Sequence, residues 1–183
     1  MTKELEMRKN EKRTVRIPFA KAVLEGVVPE WVGAQVIRHV SFDRRGPRIS
    51  KTDLVLLSRN KGIGIVECKL RNNRESRHGM VEQVLMYVQM ARELSPCELS
   101  SRLALGESEE GFEGVNTTPF VEEIAKKEWE PKFFPILVVD QWDDTLGNTV
   151  GITLPFVNRL MHKSGLPMIE AYQICSGRVE RVK

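Results

Sequence analysis

Apolar positions along the chain change from one spacing to another, and each change marks an element. Residues 17–26 place Pro18 in a first turn and Gly26 at an end, the asymmetry of a short helix. Residues 35–42 read as a strand. The runs 53–58 (Asp-Leu-Val-Leu-Leu-Ser) and 62–70 (Gly-Ile-Gly-Ile-Val-Glu-Cys-Lys-Leu) are rich in β-formers and separated only by Arg59, Asn60 and Lys61, which predicts an antiparallel hairpin. Both runs are apolar at consecutive positions, so both of their faces should be covered and the hairpin should lie mid-sheet. Residues 76–94 carry Val81, Val84, Leu85 and Val88 at the spacing of one helix face. Residues 95–132 are the least regular part, an insertion with an acidic, glycine-containing stretch at 107–113. Its one helix candidate would have Thr118 as cap and Pro119 in first position. A buried strand at 133–139, a helix at 154–163 and a last strand at 168–175 complete the series. The order helix, three strands, helix, insertion, strand, helix, strand predicts an α/β domain, a mixed sheet flanked by helices, over residues 17–183. Residues 1–16 hold six basic and three acidic residues with almost nothing apolar, and read as an exposed arm or frayed helix.

Composition narrows the class. With 183 residues, 41% apolar and 29% charged, the chain suits one globular domain. No run of about 18 apolar residues predicts a membrane span, and the first residues do not resemble a secretory signal. Three unevenly spaced cysteines suit a reducing, cytoplasmic setting rather than a disulfide framework, and are too few for a four-thiolate zinc or iron–sulfur site. No phosphate-cradling Gly-x-x-x-x-Gly-Lys-Ser/Thr loop, Gly-x-Gly-x-x-Gly fingerprint or Gly-x-Ser-x-Gly elbow is present. His39, His78 and His162 fall in no metal-ligand spacing.

Three charges stand where charges are costly. Asp53, Glu67 and Lys69 sit at the ends of the two most apolar strands, although a buried carboxylate or ammonium costs several kcal/mol unless it is paired or binds a metal. Alternation puts Glu67 and Lys69 on one face and Cys68 on the other. If the hairpin closes symmetrically about Asn60, facing residues have numbers summing to 120, and Asp53 lies opposite Glu67. Two carboxylates so placed repel unless a cation lies between them, and oxygen ligands of this kind suit Mg²⁺ or Mn²⁺. Lys69 could stabilise developing negative charge or help position and deprotonate a water. Such a constellation fits metal-assisted phosphodiester hydrolysis; a structural ion-pair cluster is the plainer alternative.

Asp53, thirteen intervening residues and then Glu67-Cys68-Lys69 resemble the core of the PD-(D/E)xK nuclease superfamily, with a texture similar to RecB-like and nuclease-related members. Thr52 stands where the motif name has proline. The resemblance implies a restriction-endonuclease-like fold in which Asp53, Glu67 and the backbone carbonyl of Cys68 hold the metal and Lys69 serves the attacking water. Gln83 and Tyr87 resemble the Gln-x-x-x-Tyr motif that RecB-like nucleases place beside that centre. Many members add a glutamate from the first helix; of Glu25 and Glu30, Glu25 at the helix end is the candidate here.

Charge location points the same way. The loop 43–52 carries Arg44, Arg45, Arg48 and Lys51, the loop 70–78 carries Arg71, Arg74 and Arg77, and both leave the hairpin at the end that holds Asp53 and Lys69. The net charges of these loops are +3 and +2, and that of residues 1–16 is +3, so the remainder of a chain of net charge +3 is acidic. A basic rim around an acidic centre suits a phosphate backbone. The expectation is therefore a divalent-metal-dependent nuclease acting on DNA, with RNA open as a substrate. Two other classes stay in view: a catalytically silent nucleic-acid-binding module of the same fold, and a structural domain binding a partner through residues 95–132. Homodimerisation is open too, with no heptad or apolar stripe arguing for it.

Overall fold

In the computed structural model the described residues are 6, 10–43, 51–70, 79–109, 112, 116–140 and 154–182. They form a seven-stranded mixed sheet and five α-helices. In chain order these are α1 (Ile17–Leu24), β1 (Gln35–Arg38), β2 (Leu54–Ser58), β3 (Gly62–Lys69), α2 (Gly79–Glu93), α3 (Pro96–Ala104), β4 (Glu107–Ser108), α4 (Thr118–Ala125), β5 (Phe133–Val139), α5 (Leu154–Lys163), β6 (Glu170–Cys175) and β7 (Arg178–Arg181). The strands lie in the order β4-β1-β2-β3-β5-β6-β7. The β3–β5 and β5–β6 pairs are parallel and the others antiparallel. Among the described residues no helix is long and apolar enough to cross a membrane.

The hairpin closes as its residue numbers require. Leu54 faces Val66, Leu56 faces Gly64 and Ser58 faces Gly62, each pair summing to 120. Every residue of β2 and β3 is buried, as their unbroken apolar runs demand. Odd-numbered side chains such as Val55, Leu57, Ile63 and Ile65 join α2, α3, α4 and α5 in one core. Even-numbered ones such as Leu54, Leu56, Val66 and Cys68 pack under α1 and Trp31 in the other. Gly62 fixes the turn: its φ is +136°, and a Cβ there would stand 2.2 Å from the Lys132 carbonyl oxygen, which accepts the Ile63 N–H at 2.8 Å.

Elsewhere the structure departs from the sequence reading. The segment read as an exposed arm is partly helical: Lys12–Arg16 form a π-helical turn leading into α1, with Val15 and Arg16 buried. Arg16 tolerates burial because Glu109, fully buried, lies 2.8 Å from its Nε. The first strand is shorter than residues 35–42, since His39 takes a φ of 60° and turns the chain out of β1. The insertion 95–132 is more regular than expected. Helix α3 starts at a reciprocal capping box of Ser95 and Glu98, and two residues of the acidic stretch form β4 on the edge of β1. Helix α4 begins at Thr118 itself, whose N–H is accepted by the Asn116 side chain, so Pro119 is second rather than first. The last strand begins at Glu170, and a turn at Ser176 and Gly177, both at positive φ, leads to the additional edge strand β7.

The turn yields a measurable contrast. Gly62→Ala should cost about 3 kcal/mol or more, because backbone must give way. At Gly79 an added Cβ meets nothing within 4 Å, so Gly79→Ala should stay within about 1 kcal/mol of the parent. Urea unfolding of both variants checks this; equal midpoints would refute the constraint at Gly62.

Candidate active site

The register brings Asp53, which immediately precedes β2, to the end of β3 where Glu67 and Lys69 stand. Asp53 Oδ2 accepts the Cys68 backbone N–H at 2.8 Å, a bond that ties the start of one strand to the end of the next. Glu67 is only 2% exposed, and its Oε1 lies 2.7 Å from the Nζ of Lys69, itself 8% exposed. Cys68 points to the opposite face, into the core beneath α1, as alternation demands.

Crowding of like charge in a dry place sets the electrostatics. Burial, followed by the negative charge of Asp53, pushes the Glu67 carboxyl up to about 8 despite the pull of Lys69. Burial likewise raises Asp53, against the opposing effects of the Cys68 N–H and of the charges on Lys69, Arg16 and His39. Burial alone would lower Lys69, but the charge and hydrogen bond of Glu67 outweigh it and hold the ammonium above the ordinary lysine range.

A glutamate that sequence reasoning missed joins this group. Glu11, just before the π-helical turn, accepts the Leu70 N–H on Oε2 at 3.3 Å, and its charge acts on both Glu67 and Lys69. It stands where a first-helix glutamate was sought. Glu25 does not: it is exposed at the far end of α1, 3.6 Å from Lys21. Nor does Glu30, whose carboxylate pairs with Arg181 on β7. The helix extends a turn and more upstream of Pro18, and this shift moves the relevant glutamate from its C-terminal to its N-terminal end.

Helix α2 meets the site from the other side. Gln83 donates to the Tyr87 hydroxyl at 3.0 Å, and that hydroxyl donates to the Lys51 carbonyl at 3.3 Å, two residues before Asp53. Tyr87 is buried and Gln83 half-buried, while Glu82, Gln89 and Glu93 face outward. The pair therefore holds the chain entering β2, two residues before Asp53. Lys51 is exposed. Arg44, Arg45, Arg48, Arg71, Arg74 and Arg77 lie outside the described residues.

As they stand, no three His, Cys, Asp or Glu side chains among the described residues form a group that could hold a metal ion. The donor set nevertheless suits a hard divalent cation. Asp53 and Glu67 are oxygen donors, enclosed and mutually repelling, with the Cys68 carbonyl between Glu67 and Lys69 in the chain. A cation there would take over the neutralisation that Lys69 alone provides incompletely.

Compared with models of protein families, with curated proteins and with solved structures, the chain has no match in any of the three.

The raised Glu67 carboxyl makes stability depend on pH. The unfolded chain releases this proton near the ordinary value of 4.5 and the folded chain near 8, so the folded state binds more protons between those limits and loses stability as pH rises through them. Without metal, urea unfolding should show stability falling from pH 5 to 8, by up to about 1.4 kcal/mol per pH unit from this group. Glu67→Gln should flatten the slope. A parent protein whose stability rises across this window would contradict the assignment.

Proposed function

We propose that the chain is a divalent-metal-dependent nuclease of the PD-(D/E)xK type, hydrolysing phosphodiester bonds in DNA. The observation that carries this reading is the meeting of Asp53, Glu67 and Lys69 at one end of a buried hairpin, with a carboxylate repulsion that an ion-pair cluster leaves unrelieved. Supporting it is the order of pairing: three antiparallel strands, then α2 to α4 with the edge strand β4, then a strand parallel to the one bearing Glu67, the αβββαβ order of a restriction-endonuclease-like core with an insertion after α2.

In this reading Asp53, Glu67, the Cys68 carbonyl and Glu11 would hold Mg²⁺ or Mn²⁺. Bound there, the ion supplies Lewis-acid polarisation of a phosphoryl oxygen and a bound water of lowered pKa. Lys69, kept as an ammonium, donates to oxygen that gains negative charge during hydrolysis. It does not act as a base in the resting protein. Tyr87 is a positioning residue: through the Lys51 carbonyl it fixes the path of the chain into Asp53. The surrounding cations supply affinity for phosphates without reading sequence.

Labelled duplex, single-stranded and branched DNA, together with RNA, should be incubated with Mg²⁺, Mn²⁺ or EDTA. The expected result is metal-dependent cutting, abolished by Asp53→Asn and Lys69→Ala. Binding with no cutting in any metal would favour a silent binding module instead, and absence of both would favour a partner-binding domain.

The position of Glu11 gives a finer test. Glu11→Gln should lower the cleavage rate about tenfold or more and raise the metal concentration needed, consistent with the loss of one ligand. Glu25→Gln should leave both unchanged. Equal behaviour of the two variants would remove Glu11 from the site.

A further inference from the structure

Beside the carboxylate centre, at the same end of the sheet, Arg38, Arg16 and His39, whose imidazole is held below its ordinary range by burial and then by the two arginine charges, meet Glu107 and Glu109. Arg38 ends β1 opposite Leu54, the first residue of β2, and His39 donates its N–H to the Thr52 carbonyl. Glu107 of β4 faces Arg38 across the next strand pair. Its Oε2 collects two partners, Arg38 Nη2 at 3.0 Å and His39 Nδ1 at 3.4 Å. The Nε of Arg38 donates to the Ser108 carbonyl at 2.9 Å, so the guanidinium fork is filled on two sides by this short strand. The positive charge of Lys51 also acts on the Glu107 carboxylate. Behind them Arg16 is held by Glu109, with its Nη1 3.4 Å from His39 Nε2.

Two features set Glu107 apart from a strap that simply fastens the sheet edge. Its side chain is 50% exposed, where an ion pair adds at most about 1 kcal/mol. Strand β4 is also only two residues long and both residues are exposed, so its attachment rests on little buried surface. Yet an arginine fork and a histidine nitrogen meet at one carboxylate oxygen, the geometry with which proteins bind a phosphate. The location is suitable as well. Arg38 shares the face of its partner Leu54, opposite to that of Glu67 and Lys69, and stands two strands, about 10 Å, from the β3 backbone, with Asp53, on which the charges of Arg16 and His39 act, at the end of the strand between them. A nucleic-acid strand covers that distance in roughly three nucleotides at about 3.4 Å each.

We propose that Arg38 and His39 form a subsite for a backbone phosphate flanking the cleaved bond, and that Glu107 occupies it until nucleic acid takes its place. This rests on the nuclease reading for the identity of the neighbouring centre, and it adds a second contact and a built-in competitor. The ligand is the phosphodiester of a polynucleotide. Glu107 lowers affinity for it, and only backbones that offer a phosphate at the right distance from the cut displace the carboxylate.

The test is fluorescence-anisotropy binding of a labelled duplex and a labelled single strand to the full chain in EDTA, titrated with salt, alongside cleavage in Mg²⁺. Glu107→Gln, which keeps size and backbone pairing, should tighten binding about tenfold while leaving the logarithmic salt dependence on duplex little changed, because displacement of the carboxylate gives parent and variant the same phosphate contacts. Arg38→Gln alone should change binding little, but in the Glu107→Gln background it should cancel the gain. Glu107→Asp should behave like the parent. Unchanged or weaker binding by folded Glu107→Gln overturns the proposal, and if the parent still cuts DNA the nuclease reading survives that result. A Glu107→Gln variant that binds more tightly while neither protein cuts would uphold the subsite and defeat the nuclease reading. Loss of folding in Glu107→Gln, seen by circular dichroism, would make the glutamate a structural strap, and absence of binding by both proteins would refute both readings.

Discussion

The hydrogen bond from the Cys68 N–H to Asp53 Oδ2 joins the first turn of one strand to the last turn of the next, and it can form only in one register of the hairpin. A slip of one residue would turn Asp53 away from Glu67 and would exchange the two hydrophobic sets that line β2 and β3. Both sets are fully buried, against α2 on one side and α1 on the other, so the two cores and the charged centre are specified together. Gly62 fixes the same register from the other end of the hairpin. The charged groups are unfavourable where they stand, and the surrounding apolar packing keeps them there.

That arrangement explains which parts of the molecule were legible in the residue order. The hairpin was, because its turn is short and its apolar runs are unbroken, and so were β5 and α5, whose patterns are local. Glu11 was not. It lies in a charged run with one apolar neighbour of consequence, Val15, and the helix there is held by Arg16 pairing with Glu109, 93 residues further along. No window of sequence contains that pair. Other signals were present but quiet. Ser95 followed by Glu98 is a capping box, and Ser176-Gly177 is a hairpin turn. Both fall in stretches whose hydrophobic pattern is too short to speak for itself.

The contrast between Glu109 and Glu107 shows how two neighbouring acids in one insertion do different work. Glu109 is sealed in and makes the burial of Arg16 tolerable, so its loss would strand a cation inside the protein. Glu107 sits half in water, where its pairing with Arg38 is readily exchanged. Side-chain alternation along the short edge strand does not account for this difference; depth below the surface does.

Cys68 sits between Glu67 and Lys69 in the chain yet faces the opposite side of the sheet, where burial, and then the carboxylate charges, push its thiol far above the ordinary range. A thiolate is the reactive form of cysteine, so this sulfur is inert to alkylating reagents and to mild oxidants while the fold is intact. Cys97 and Cys175 are exposed and take such reagents instead. The chain can therefore carry a thiol-linked dye or cross-linker at two surface positions without a change at its charged centre, and modification of the third cysteine reports that the hairpin has opened.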